Sequence, residues 1–160
     1  MKNSAKRLHC CNAEPQKRDH RKVCPVNGQK GQSVASETLR HLIRTSKRAE
    51  IKSRGYYFCK SPDCDTVYYH PDSGQCFNKA DLKVRVGLKE TEDPVWLCYC
   101  FGITQKMIWD EIERTGKSAS GDRIRREVAD GNCDCEILNP SGRCCLGEVR
   151  SVESAHDSRR

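Results

Sequence analysis

The chain has 160 residues, of which 12 are cysteine, 36% are hydrophobic and 32% are charged. That balance excludes a large apolar core, and small domains with thin cores need disulfide or metal staples. The formal charge of +7 is uneven: residues 1–55 hold 14 Lys/Arg against 4 Asp/Glu, and residues 56–160 hold 15 against 18.

No apolar run follows the basic Met1–Arg7 segment, so no secretory signal is expected. Nor does any stretch approach the roughly 18 apolar residues of a membrane span. A cytoplasmic chain keeps its thiols reduced, and clustered thiols there read as metal ligands rather than disulfides. The basic first 55 residues read as a solvated tail plus one charged helix face. The competing reading is a surface for nucleic acid or an acidic partner.

In chain order, residues 1–22 are polar and aperiodic, which predicts a disordered tail. Cys24-Pro25-Val26-Asn27-Gly28 is a turn. Ser36 is placed as the N-cap of a short helix with Leu39, Leu42 and Ile43 on one face. Tyr56-Tyr57-Phe58, Thr66-Val67-Tyr68-Tyr69 and Cys76-Phe77 are aromatic and β-branched, and Leu82–Val86 alternates with period two. Together they predict a small antiparallel sheet. Thr91-Glu92-Asp93-Pro94 breaks the pattern and is the expected domain boundary. A helix capped by Thr104 runs to about Arg114, with Ile108 and Ile112 one turn apart and Gly116 at its end. Ser120 or Asp122 opens a second helix, with Ile124 and Val128 on one face and Gly131 at its stop. A third runs from near Cys144-Cys145 to about Ser154.

Two Cys-x-Cys pairs and one Cys-Cys pair fall between Cys98 and Cys145: Cys98/Cys100, Cys133/Cys135 and Cys144/Cys145. They lie at predicted helix ends, where free N–H groups and the helix dipole favour thiolates. Spacing alone leaves a four-cysteine zinc site and an iron–sulfur cluster as even rivals. Upstream, Cys59-Lys60-Ser61-Pro62-Asp63-Cys64 has the knuckle shape of zinc sites, and Cys24 is a third ligand candidate. The fourth ligand stays open among His70, His20, Cys76, Cys10, Cys11 and water, since Asn27 stands where many knuckles carry a cysteine. Cys76 also reads as a small buried hydrophobe, and His70 as a polar strand end. Cys10-Cys11 on the basic tail could capture a soft ion such as Cu(I) or Hg(II).

Cys98-Tyr99-Cys100-Phe101-Gly102-Ile103-Thr104, followed by two helices and further cysteines, resembles the [2Fe–2S] domain of bacterioferritin-associated ferredoxins. A longer set is similar to the N-terminal region of the two-part CopZ copper chaperones. It comprises Cys24-Pro25, Tyr57-Phe58-Cys59, Cys64, Val67-Tyr68, Val84–Glu90, Cys98-x-Cys100 and Asn139–Cys145. The resemblance implies an α+β chain, with a zinc-stapled antiparallel β domain at 23–92, a helical [2Fe–2S] domain at 93–154 and tails at 1–22 and 155–160. It also implies Cys98, Cys100, Cys135 and Cys145 as cluster ligands, with Cys133 and Cys144 as alternates or as a second soft-metal site.

The implied function is an electron-transfer accessory or metallochaperone in copper or mercury handling, reducing Cu(II) to Cu(I). Its partners would be an electron donor and a separate metal-carrying chaperone or transporter ATPase. CopZ proteins of this kind continue into a βαββαβ domain with a Met-x-Cys-x-x-Cys motif. These 160 residues hold none, so soft-metal binding is expected from the spare cysteines. The alternative is a zinc-ribbon module whose basic N-terminal segment contacts nucleic acid or an acidic partner. No nucleophile–base set, phosphate loop or paired carboxylates point to an enzyme.

Overall fold

Aromatic residues pair across the sheet of the N-terminal half. Strands β1 (Gln32–Ser33), β2 (Tyr57–Phe58), β3 (Thr66–Tyr69) and β4 (Cys76–Asn78) lie antiparallel in that order. Phe58 stands opposite Tyr68, and Tyr68 opposite Phe77. All four residues of β3 are buried, because both faces of the strand are covered. Tyr68 joins a core with Leu39, Ile43, Tyr56, Phe58 and Leu82, whereas Tyr69 packs with Cys24, Cys59 and Cys64. The computed structural model describes residues 22–52 and 54–157, without the side chains of residues 156 and 157. The tail reading of residues 1–22, with Cys10, Cys11 and His20, therefore falls outside the described residues apart from Lys22, as do residues 158–160 of the C-terminal tail.

Helix α1 (Ser36–Leu42) buries Leu39 and Leu42. Ser36 is its first helical residue and not its cap: Ala35 holds that position, and the Ser36 hydroxyl turns to the Glu37 carboxylate at 3.1 Å. The expected strand at Leu82–Val86 is also corrected. Leu82 and Val86 are buried as the alternation requires, but among the described residues the only pairing is an isolated bridge from Leu82 to Ile43. Lys83 donates to the Leu42 carbonyl at 2.9 Å, so this segment lies along the end of α1 instead of the sheet.

The C-terminal half opens with a hairpin of β5 (Trp96–Cys98) and β6 (Ile103–Thr104), followed by α2 (Gln105–Thr115), α3 (Ser120–Ala129), α4 (Cys135–Leu138) and α5 (Leu146–Asp157). Thr104 caps α2 by accepting the Met107 N–H at 3.3 Å. Gly116 ends that helix at φ +86°, a conformation costly for residues with a Cβ. On α3, Ile124 is buried but Val128 faces outward at 37% exposure. Val128 is thus not part of the expected apolar face; α5 packs on the other side. The core gathers Ile103, Ile108, Ile112, Ile124 and Val149 around Cys98, Cys135 and Cys145.

The halves meet through polar contacts. The buried Tyr68 hydroxyl donates to the Pro140 carbonyl at 2.7 Å, Gln32 to the Ser141 carbonyl at 2.7 Å and Thr38 to the Glu136 carbonyl at 2.5 Å. Between them, Arg85 binds the Glu90 carboxylate and the carbonyls of Glu92 and Asp93. Gly87 lies so close to Trp96 that a Cβ would sit 1.7 Å from the Trp96 carbonyl oxygen. Gly87→Ala is expected to destabilise the chain by about 1–3 kcal/mol, since backbone on both sides must shift. Urea denaturation should show a lowered midpoint.

Candidate metal centres

Cys24 starts a tight turn, closed by Gly28 N–H to the Cys24 carbonyl at 2.8 Å, with Gly28 at φ +69°. Cys59 and Cys64 flank the knuckle between β2 and β3, and the Cys59 N–H is held by the Val67 carbonyl at 2.8 Å. These elements bring the sulfurs of Cys24, Cys59 and Cys64 within 4.8 Å of one another, all three buried.

Their surroundings treat the three thiols unequally. Burial pushes Cys24 up to about 11, partly offset by backbone donors from Val26 and Asn27. Burial also works to raise Cys59. It is outweighed by the Ser61 N–H, the Asn27 amide, the Lys89 charge and the Cys24 thiol, which leave Cys59 below its ordinary value. Asn27 donates to the Cys59 sulfur at 3.4 Å. The residue that departs from a four-cysteine knuckle therefore still serves the site, as a donor.

The structure does not bring His70 to this group. One ring nitrogen lies 3.1 Å from the Arg54 carbonyl, and the other accepts the Ser73 N–H at 3.3 Å. Cys76 packs beside the group, with its thiol directed to the Gly74 carbonyl at 3.7 Å.

A second set of thiols lies 34 to 81 residues downstream of Cys64. Cys98 ends β5, Cys100 lies in the hairpin turn, Cys135 begins α4 and Cys145 immediately precedes α5. The sulfurs of Cys100 and Cys135 are 3.6 Å apart, and the Asp134 N–H points at Cys100 at 3.3 Å. Cys98 is held down to about 6 by a hydrogen bond from the Cys145 thiol, with further help from the Phe101 and Cys100 N–H groups. The same bond raises Cys145, and burial adds to it. Burial likewise pushes Cys135 up to about 12, against the Cys145 N–H that favours its thiolate. The network thus favours the thiolate at Cys98 and opposes it at Cys135 and Cys145.

Cys133 is half-buried and Cys144 exposed. Both line a cleft of about 580 Å³ with Cys135, Asp134, Glu136 and Arg143.

Residues 21–83 match the family described as a zinc binding domain, of CopZ type. The X-ray structure of the Archaeoglobus fulgidus CopZ N-terminal domain superposes with a TM-score of 0.68 at 32% identity, covering 81% of this chain and 96% of that one. The chain belongs to the CopZ-type family. The copper chaperone CopZ of Archaeoglobus fulgidus is 34% identical over 122 residues, 76% of this chain and 57% of that protein. The CopZ-type chain thus spans little more than half the length of this curated relative.

Cys24, Cys59 and Cys64 all fall inside the matched zinc-binding region. Three converging buried thiols suit zinc, which prefers tetrahedral sulfur and nitrogen donors. Lys89 is the residue whose role sequence reasoning missed. It appeared there only within the Val84–Glu90 string, yet its ammonium is buried against the carbonyl of Cys64 at 3.0 Å. No signal in the linear sequence marks it.

Proposed function

We propose that this CopZ-type chain holds zinc at Cys24, Cys59 and Cys64 and a [2Fe–2S] cluster at Cys98, Cys100, Cys135 and Cys145. It acts as an electron-transfer accessory or metallochaperone in copper or mercury handling. The observation that carries the reading is the pairing of Cys100 with Cys135 and of Cys98 with Cys145, with backbone N–H groups aimed at their sulfurs. An anionic thiolate-held cluster requires such donors, so these residues fit it. When bound, the cluster supplies one-electron chemistry, including reduction of Cu(II) to Cu(I).

The protein's own side chains do the rest. Ile103, Ile108 and Val149 enclose Cys98 and Cys145 and exclude water. Cys100 is the partly exposed member of the set, on the side where an electron partner can approach. Cys133 and Cys144, in their shared cleft, are soft donors for Cu(I) or Hg(II) cargo. Copper is favoured by the relative's name as a copper chaperone. The cargo then passes to a separate metal-carrying chaperone or transporter ATPase. A reducing, cytoplasmic setting, in which clustered thiols stay available to metal, belongs to the same reading. Among the described residues, no helix is long and apolar enough to cross a membrane. The reading assigns the chain no catalytic turnover of an organic substrate.

Anaerobic protein, reduced with dithionite and freed of excess reductant, should regain its oxidised visible spectrum on mixing with Cu(II) as a chelator traps Cu(I). A reduced spectrum that persists while Cu(II) stays unreduced overturns the copper reading. Cys133→Ser combined with Cys144→Ser should lower Cu(I) stoichiometry with iron content unchanged.

A further inference from the structure

Lys89 is 4% exposed, and it closes the short turn Gly87–Lys89. Its ammonium donates to the Ser61 carbonyl at 2.6 Å and the Cys64 carbonyl at 3.0 Å, and lies 5.9 Å from the centroid of the Phe58 ring. Taking an ammonium out of water costs several kcal/mol unless an opposite charge compensates it. Two carbonyl dipoles answer part of that cost. No carboxylate pairs with Lys89 among the described residues; the nearby Glu90 is engaged by Arg85 and Lys79. Burial pushes the Lys89 ammonium down, and the sulfurs of Cys59, Cys64 and Cys24, once ionised, are the groups that oppose that shift.

The charge count of the site explains the arrangement. Three thiolates and a neutral fourth ligand around Zn²⁺ leave one net negative charge in a buried pocket, and one ammonium beside the knuckle cancels it. The bonds to Ser61 and Cys64 also fix the loop that carries two of the three ligands. We propose that Lys89 is the countercharge and positioning residue of the trithiolate zinc site, holding the Cys59–Cys64 knuckle in its metal-binding shape and making the loaded site electrically neutral. The role rests on the reading that Cys24, Cys59 and Cys64 hold zinc.

The test uses the full chain with Lys89→Met, which keeps bulk but removes charge, Lys89→Gln, which restores a donor without charge, and Lys89→Arg, which keeps the charge. Zinc affinity is read by competition with a chromogenic chelator. In cobalt-substituted protein, the thiolate-to-metal charge-transfer band reports the potential at the sulfurs. Partners that orient and tune metal ligands are worth roughly 10- to 100-fold in affinity, and a loss in that range is expected for both Met and Gln. Their cobalt bands should move to longer wavelength, because thiolates without a nearby cation give up charge more readily. Lys89→Arg should retain more affinity than Lys89→Gln. If the Met variant does not fold, the Gln and Arg variants decide the matter. Gln at parent affinity with an unmoved band overturns the countercharge role, as does Gln binding better than Arg. Cys59→Ser is the control for the underlying assignment: full zinc affinity in that variant overturns the site itself, and Lys89's role with it.

Discussion

Cys98→Ala is expected to yield colourless protein lacking both irons and both acid-labile sulfides of a [2Fe–2S] centre, whereas Cys133→Ala and Cys144→Ala stay red-brown. The asymmetry follows from position. Cys98 is fully buried at the end of β5, and it is the sulfur on which the Cys145 thiol and the Phe101 and Cys100 N–H groups converge. Alanine there leaves those donors facing an apolar methyl and removes the thiolate best prepared to receive a cation. Cys144 is exposed and Cys133 half-buried, so losing either changes the cleft wall and leaves the Cys98–Cys145 and Cys100–Cys135 pairs in place. Iron and sulfide analysis with visible spectroscopy of anaerobically purified variants gives the answer. Loss of the chromophore in the Cys144 variant with its retention in the Cys98 variant would reverse the ligand assignment.

Stripping zinc, or substituting Cys59→Ser, is expected to loosen the N-terminal half by an amount on the scale of a structural zinc site, about 10 kcal/mol of coupled folding free energy. Cys24, Cys59, Cys64 and Tyr69 form their own small cluster, apart from the core under α1. Without metal, this cluster must keep three thiols together that repel one another once ionised. Amide exchange should therefore rise most in the Cys24–Gly28 turn and the Cys59–Cys64 knuckle, and less around Leu39 and Ile43. Apparent zinc affinity should rise with pH through the neutral range, since burial holds the Cys24 proton to about 11 and zinc must displace it. Unchanged exchange across the knuckle after chelation would show that the sheet stands without the metal.

Local chemistry made much of this architecture legible in the sequence. Thr66–Tyr69 is dense enough in β-formers to specify its own strand, and Thr104 with Gly116 marks both ends of α2. Where local pattern and tertiary contact compete, contact wins. Leu82–Val86 alternates like a strand, but its partner is the end of α1, and Val128 has helical spacing but no neighbour to bury it. The four-residue helix α4 is too short to leave a periodic signal, and Cys135 starts it. The cysteine spacings displayed the thiols of both groups. The grouping of Cys98 with Cys145 across 47 positions came from the family resemblance. The charge of Lys89 beside the knuckle was invisible, because nothing in a linear string places residue 89 over residues 61 and 64.

Tyr68 and Tyr69 are adjacent on β3 and face opposite ways. Tyr69 walls the Cys24–Cys59–Cys64 group, while the Tyr68 hydroxyl reaches the carbonyl of Pro140, in the loop leading to Cys144 and Cys145. Two neighbouring side chains of one strand therefore reach both thiol-bearing regions, which lie far apart in sequence. Gln32 and Thr38 add two further bonds to the same region, so the sheet and α1 together hold the segment from Glu136 to Ser141 at three points.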